Sequence, residues 1–150
     1  MSFKKVLVAI DGSNNGYRTL QKAIEHVQDV SGELTLVHIA KSHDQAAPIM
    51  LGHSTAVEYN LREKMQEAEQ EQGKEVLNIA VEDVKKAGLT CETVLLEGDA
   101  ARELTKYAEN ERFDMIMIGS RGLGTFKELM LGSVSHKVSQ ISTIPVLIVK

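Results

Sequence analysis

Three short runs in this 150-residue chain are apolar at almost every position: KKVLVAI at Lys4–Ile10, MIMI at Met115–Ile118, and PVLIV at Pro145–Val149. A strand with one face in water alternates polar and apolar residues, whereas a strand covered on both faces does not. Runs this short and this apolar read as strands sandwiched between two layers, which demands a sheet with helices on both sides. A fourth run, ELTLVHIA at Glu33–Ala40, reads the same way. A fifth, Leu89–Leu96, sets Cys91, Thr93 and Leu95 against Thr90, Glu92, Val94 and Leu96, the pattern of a less buried strand nearer an edge.

Helical stretches separate the strands. Asp11-Gly12-Ser13-Asn14-Asn15-Gly16 is turn chemistry followed by helix-start chemistry, with Ser13 or Asn14 as N-cap. Helix 1 follows to about Val30, with Leu20, Ala23, Ile24, Val27 and Val30 on one face and Gly32 at its end. Lys41 to Ala56 shows no period and reads as a mobile loop. Helix 2 is long, about Val57 to Ala87, with a stripe of Leu61, Met65, Ala68, Val76, Ile79 or Ala80, and Val84. Its polar middle around Gly73 is expected to be solvated and bent, and Gly88 closes it. Asp99 caps helix 3, Ala100 to Asn110; strand 4 is Phe113–Ile118. Helix 4 starts near Gly132 or Ser133, with Val134, Val138 and Ile141 on one face, and strand 5 is Ile144–Val149. Strict alternation of strand and helix predicts an α/β fold over residues 1–150 as a single domain. Its five-stranded parallel sheet has order 3-2-1-4-5, with right-handed crossovers.

In that order the chain reverses direction between strands 1 and 4, and ligands of open α/β sheets bind at such a switch point. Asp11 and Gly12 leave strand 1 there. Strand 4 leaves through GSRGLGTFKELMLGSVS, Gly119 to Ser135, which holds Gly119, Gly122, Gly124 and Gly132, the hydroxyls Ser120, Thr125, Ser133 and Ser135, and Arg121. Glycines let backbone approach a ligand, and the N–H groups of a helix start have no internal partner, so the segment reads as a phosphate holder. The competing reading is an ordinary strand-to-helix loop with its cap. Neither the Walker loop nor the dinucleotide fingerprint is present. Arg121 either pairs with phosphate or is solvated. Asp11 either holds Mg²⁺ through water or bonds a ribose hydroxyl, or else caps its own turn. His38 reads as a packed, hydrogen-bonded histidine; the histidines share no zinc spacing, and no nucleophile has a partner base in evidence.

A net charge of −4 argues against a duplex-DNA footprint, and no apolar stretch approaches the roughly 20 residues that span a bilayer. One cysteine, Cys91, excludes an internal disulfide, and cytoplasmic localisation is the expectation. The apolar last strand, at a sheet edge with only Pro145 to protect its start, predicts a homodimer through Pro145–Val149.

The spacing Gly119-x2-Gly122-x9-Gly132-Ser133 resembles the signature of the ATP-binding subgroup of universal stress proteins. KKVLVAIDGS at the start, LVHI in strand 2 and IPVLIVK at the end are also similar to that family, so the likeness spans essentially the whole chain. The resemblance implies a Rossmann-like, adenine nucleotide alpha hydrolase-like fold and a dimer through the last strand. It implies that Ala9 and Asp11 line a nucleotide beside strand 1 and that Ile39 meets adenine through its backbone. Gly119, Ser120, Arg121, Gly122 and Thr125 would surround ribose and phosphates, and Gly132, Ser133, Val134 and Ser135 would hold the phosphates. Relatives often carry proline at the place of Ala9 and histidine at that of Arg121. The function expected is an ATP-binding, stress-response regulatory module, with ADP or AMP as other occupants, Mg²⁺ as a companion ion, and at most slow hydrolysis. An ATP-dependent enzyme of the same fold and a nucleotide-free dimeric scaffold are the alternatives.

Overall fold

The computed structural model describes residues 2–43, 56–121 and 131–150. Its elements are β1 (Lys5–Ala9), α1 (Asn14–Val30), β2 (Glu33–Ala40), α2 (Ala56–Lys86), β3 (Glu92–Glu97), α3 (Ala100–Asn110), β4 (Met115–Gly119), α4 (Ser133–Ile141) and β5 (Val146–Val149). The strands form one parallel sheet of order β3-β2-β1-β4-β5, as the alternation predicts.

Period-two alternation of Cβ direction explains why both faces of the central strands are apolar. Val6 and Val8 of β1 point to one side, where they pack with Leu20, Ile24 and Val27 of α1 and Leu77 and Val84 of α2. Leu7, between them, points to the other side and joins Leu104 and Ala108 of α3, Ile116 of β4 and Val138 of α4. Each fully buried Leu, Ile or Val contributes roughly 1.5–3 kcal/mol. β3 and β5 are the edges and are only partly covered. Among the described residues no helix is long and apolar enough to cross a membrane.

Four local expectations need correction. The stripe of α2 is covered only in its second half: Ala80, of the pair Ile79 or Ala80, and Val84 are buried, Val76 is half-buried, and Leu61, Met65 and Ala68 are exposed; Leu77, outside the expected stripe, is buried too. A helix of 31 residues is roughly 46 Å long and outruns strands of four to eight residues. Gly73 is buried, not solvated; a Cβ there would lie 2.6 Å from Leu95 and 2.8 Å from the His38 ring. The left-handed residue that ends α1 is Ser31 (φ 52°), not Gly32. Gly32 is needed for a close approach instead, because a Cβ would sit 2.4 Å from the carbonyl oxygen of Lys4, just before β1. On α4 only Val138 of the expected face is buried, and Val134 and Ile141 are exposed. Gly88 (φ 77°) does close α2.

Candidate nucleotide cleft

A cleft of about 680 Å³ opens at the carboxyl ends of the strands, where β1 and β4 diverge. Its lining includes Ala9 at the end of β1 and Asp11 beyond it, Ile39 of β2, Gly119 and Arg121 at the exit of β4, and Gly132, Ser133, Val134 and Ser135 at the start of α4. Nine of the twelve residues read from the sequence as a site therefore converge. Ser120 is buried behind the wall, and Gly122 and Thr125 lie outside the described residues.

The wall is held by a backbone hydrogen bond and by a buried hydroxyl that donates to backbone. The Gly132 N–H donates to the Ser120 carbonyl at 2.6 Å, and the Ser135 hydroxyl lies 3.1 Å from that same oxygen and 3.0 Å from the Gly132 carbonyl. Ser135 thus ties α4 to the exit of β4 through its hydroxyl, and only its backbone N–H remains at the helix end. A Cβ on Gly132 would lie 3.3 Å from the Ser120 oxygen, so this crossing is tight.

The helix starts differ. α1 is capped by Ser13, whose hydroxyl accepts from the Gly16 N–H, and α3 by Asp99, whose carboxylate accepts from the Arg102 N–H. α4 begins at Gly132, which has no side chain to cap it. The N–H groups of Ser133, Val134 and Ser135 occupy the first turn, where no helical partner exists. They stand at the cleft with the positive end of the helix dipole behind them, a ready place for an anion.

Asp11 shapes its own turn. Its Oδ1 accepts from the Ser13 N–H at 3.0 Å and from the Ser13 hydroxyl at 2.5 Å, shaping the turn after β1. It also lines the cleft. His38 behaves as a packed histidine: its Nδ1 lies 2.8 Å from the Ile10 carbonyl, which can only accept, so Nδ1 carries the proton. Among the described residues no group of three or more His, Cys, Asp or Glu side chains is placed to hold a metal ion. A divalent cation would need phosphate oxygens beside Asp11.

Asn15 was missed in the sequence because it reads as one more turn residue. It is 5% exposed and bridges three elements. Its Oδ1 accepts from the Arg121 N–H at 2.7 Å, and its Nδ2 donates to the Val149 carbonyl at 3.1 Å. Gly119 packs against it so closely that a Cβ would fall 2.3 Å from Oδ1. Only a contact over more than 100 residues gives Asn15 this role, and no local pattern announces it. Lys41, Glu69 and Asp99 also face the cleft, so its charged lining exceeds Asp11 and Arg121.

Asp99 is held below the ordinary carboxylate range by Lys137, whose ammonium lies 3.0 Å away, and by the Arg102 N–H. The folded carboxylate is favoured, so this stabilisation is present above the unfolded pKa and is lost as pH falls through the folded one. Asp99→Ala is expected to cost about 1 kcal/mol at neutral pH, chiefly through the lost cap. In urea unfolding the gap from wild type should close in acid. Cys91 lies before β3, and burial pushes its thiol up, with Lys85 opposing weakly; this is a packing thiol, not an activated one.

The parallel sheet, with a cleft at its switch point walled by glycine backbone and an uncapped helix start, defines an open α/β module. The family model of the universal stress protein family matches residues 2–150. Universal stress protein YxiE of Bacillus subtilis is 37% identical over 148 residues, covering 99% of each chain. The structure of MJ0577 from Methanocaldococcus jannaschii superimposes with a TM-score of 0.84 at 24% identity, covering all of this chain and 97% of the other. A universal stress protein from Archaeoglobus fulgidus, solved in complex with dAMP, has a TM-score of 0.66 at 22% identity and 100% coverage of both. The chain belongs to the universal stress protein family.

Proposed function

We propose that the chain is an ATP-binding regulatory module of the cytoplasm, in which bound nucleotide biases conformation or partner choice and hydrolysis is slow or incidental. The observation that carries this reading is the start of α4: a buried glycine without a side-chain cap, presenting three backbone donors to the cleft across from Asp11. The dAMP complex of the Archaeoglobus fulgidus relative supports an adenine nucleotide as ligand. The cleft volume suits a ligand of that size. Mg²⁺ would arrive on the phosphates, with Asp11 reaching it through water. Of the cleft's other carboxylates, Glu69 lies near the His43 ring and Asp99 is engaged by Lys137 and the Arg102 N–H, which leaves a water near the phosphates without an evident base.

The same reading includes a homodimer through β5, whose Leu147 is 45% exposed on an edge strand. Calorimetric titration with ATP, ADP and AMP, with and without Mg²⁺, tests the nucleotide claim. ATP is expected to bind, with turnover no faster than a few per minute. Absence of binding by every adenine nucleotide would refute the reading, and faster turnover would favour an ATP-dependent enzyme.

A further inference from the structure

A second groove, of about 320 Å³, lies between the start of α1 and the second half of α2. Tyr17, Val76 and Ile79 form its apolar surface, with Tyr17 54% and Ile79 61% exposed. Its charged lining is wholly acidic: Asp11, Glu75 and Asp83. The neighbouring acids are compensated on their own helices, Glu25 by Lys22, Glu71 by Lys74 and Glu82 by Lys85. Glu75 and Asp83 have no ion pair among the described residues. Lone exposed apolar residues mean little, but here they stand between two uncompensated carboxylates.

The spacing gives the occupant. Glu75, Ile79 and Asp83 are four residues apart, so they share one side of α2 and span roughly 12 Å. An extended peptide places residues i, i+2 and i+4 on one face over roughly 13 Å. We propose that this groove docks an extended segment of a protein partner bearing the pattern basic-x-apolar-x-basic. The two cations meet Glu75 and Asp83, and the central side chain packs on Ile79 against Tyr17 and Val76. Charge sets register and choice of partner, and the apolar contact supplies the grip.

The test needs no nucleotide, so its outcome is separable from that of the nucleotide titration. The ¹⁵N-labelled full chain is titrated with a capped Lys-Ser-Leu-Ser-Lys peptide at low salt. Amide shifts are expected around Tyr17, Val76 and Ile79, and replacing the peptide's Leu by Ser should weaken binding about tenfold. The double variant Glu75→Lys/Asp83→Lys should weaken it about tenfold or more, and the milder Glu75→Gln/Asp83→Asn should do so less. Glu71→Lys/Glu82→Lys changes net charge equally outside the groove and should have an effect several-fold smaller. Equal loss in both charge-reversed pairs would overturn the proposal, as would shifts centred elsewhere or spermidine binding the groove as tightly as the peptide.

Discussion

Replacing Ser133 by proline is expected to weaken ATP binding roughly 10- to 100-fold while leaving the fold intact. Proline is well tolerated at the first position of a helix, where its missing N–H has no helical partner to lose. Gly132, before it, already has φ −61° and ψ 157°, the extended conformation that a following proline requires. Ser133 is exposed and heads α4. The substitution therefore deletes one backbone donor from the anion site and little else. One charge-assisted hydrogen bond is worth about 1.5–3 kcal/mol, which sets the range of the loss. Ser133→Ala removes the hydroxyl but keeps the N–H, so its loss should be smaller. Binding is read by calorimetry and folding by urea denaturation. An unfolding midpoint near wild type with undiminished ATP affinity would remove the start of α4 from the site.

The largest stability effect is expected at the contact of Gly119 with Asn15. Gly119→Ala forces a methyl group into the space of the Asn15 amide and is expected to cost about 3 kcal/mol. The amide cannot swing aside cheaply, because it holds both the Arg121 N–H and the Val149 carbonyl in a buried position. Asn15→Ala gives up those two bonds and is expected to cost about 2 kcal/mol. The effects should not add: with the amide gone, the added methyl group has room, so the double variant should be at least as stable as Gly119→Ala alone. Urea unfolding of all four proteins closes the cycle. Additive losses would mean that the two residues act independently.

The sheet was legible because its information is local. Val6, Leu7 and Val8 are all apolar for the reason that appears in three dimensions, a covered face on each side of β1. The Asp99 cap was readable from turn chemistry within four residues, and so was the α1 cap to within the pair Ser13 and Asn14, of which Ser13 caps the helix. The spacing singled out Gly119 and Gly132, which line the cleft, but not the contact that each makes there. Gly119 makes room for Asn15, and Gly132 crosses beneath Ser120, contacts between residues that are not neighbours in sequence. Gly32 and Gly73 misled for the same reason. A glycine looks like a terminator or a bend from sequence alone, yet here each admits a neighbour, the Lys4 carbonyl in one case and Leu95 with His38 in the other. The groove beside α2 was invisible as well, since Tyr17 and the Glu75-Ile79-Asp83 line meet only once α1 packs on α2.

The central claim is that backbone donors at the head of α4 hold the phosphates of an adenine nucleotide. The most direct measurement is a ¹⁵N amide titration with ATP, read at Ser133, Val134 and Ser135. The account predicts that these three resonances move downfield together and saturate with one site, with Gly119 and Arg121 responding beside them. Saturating ATP that leaves all three unmoved, or that shifts only residues outside the cleft, would contradict it.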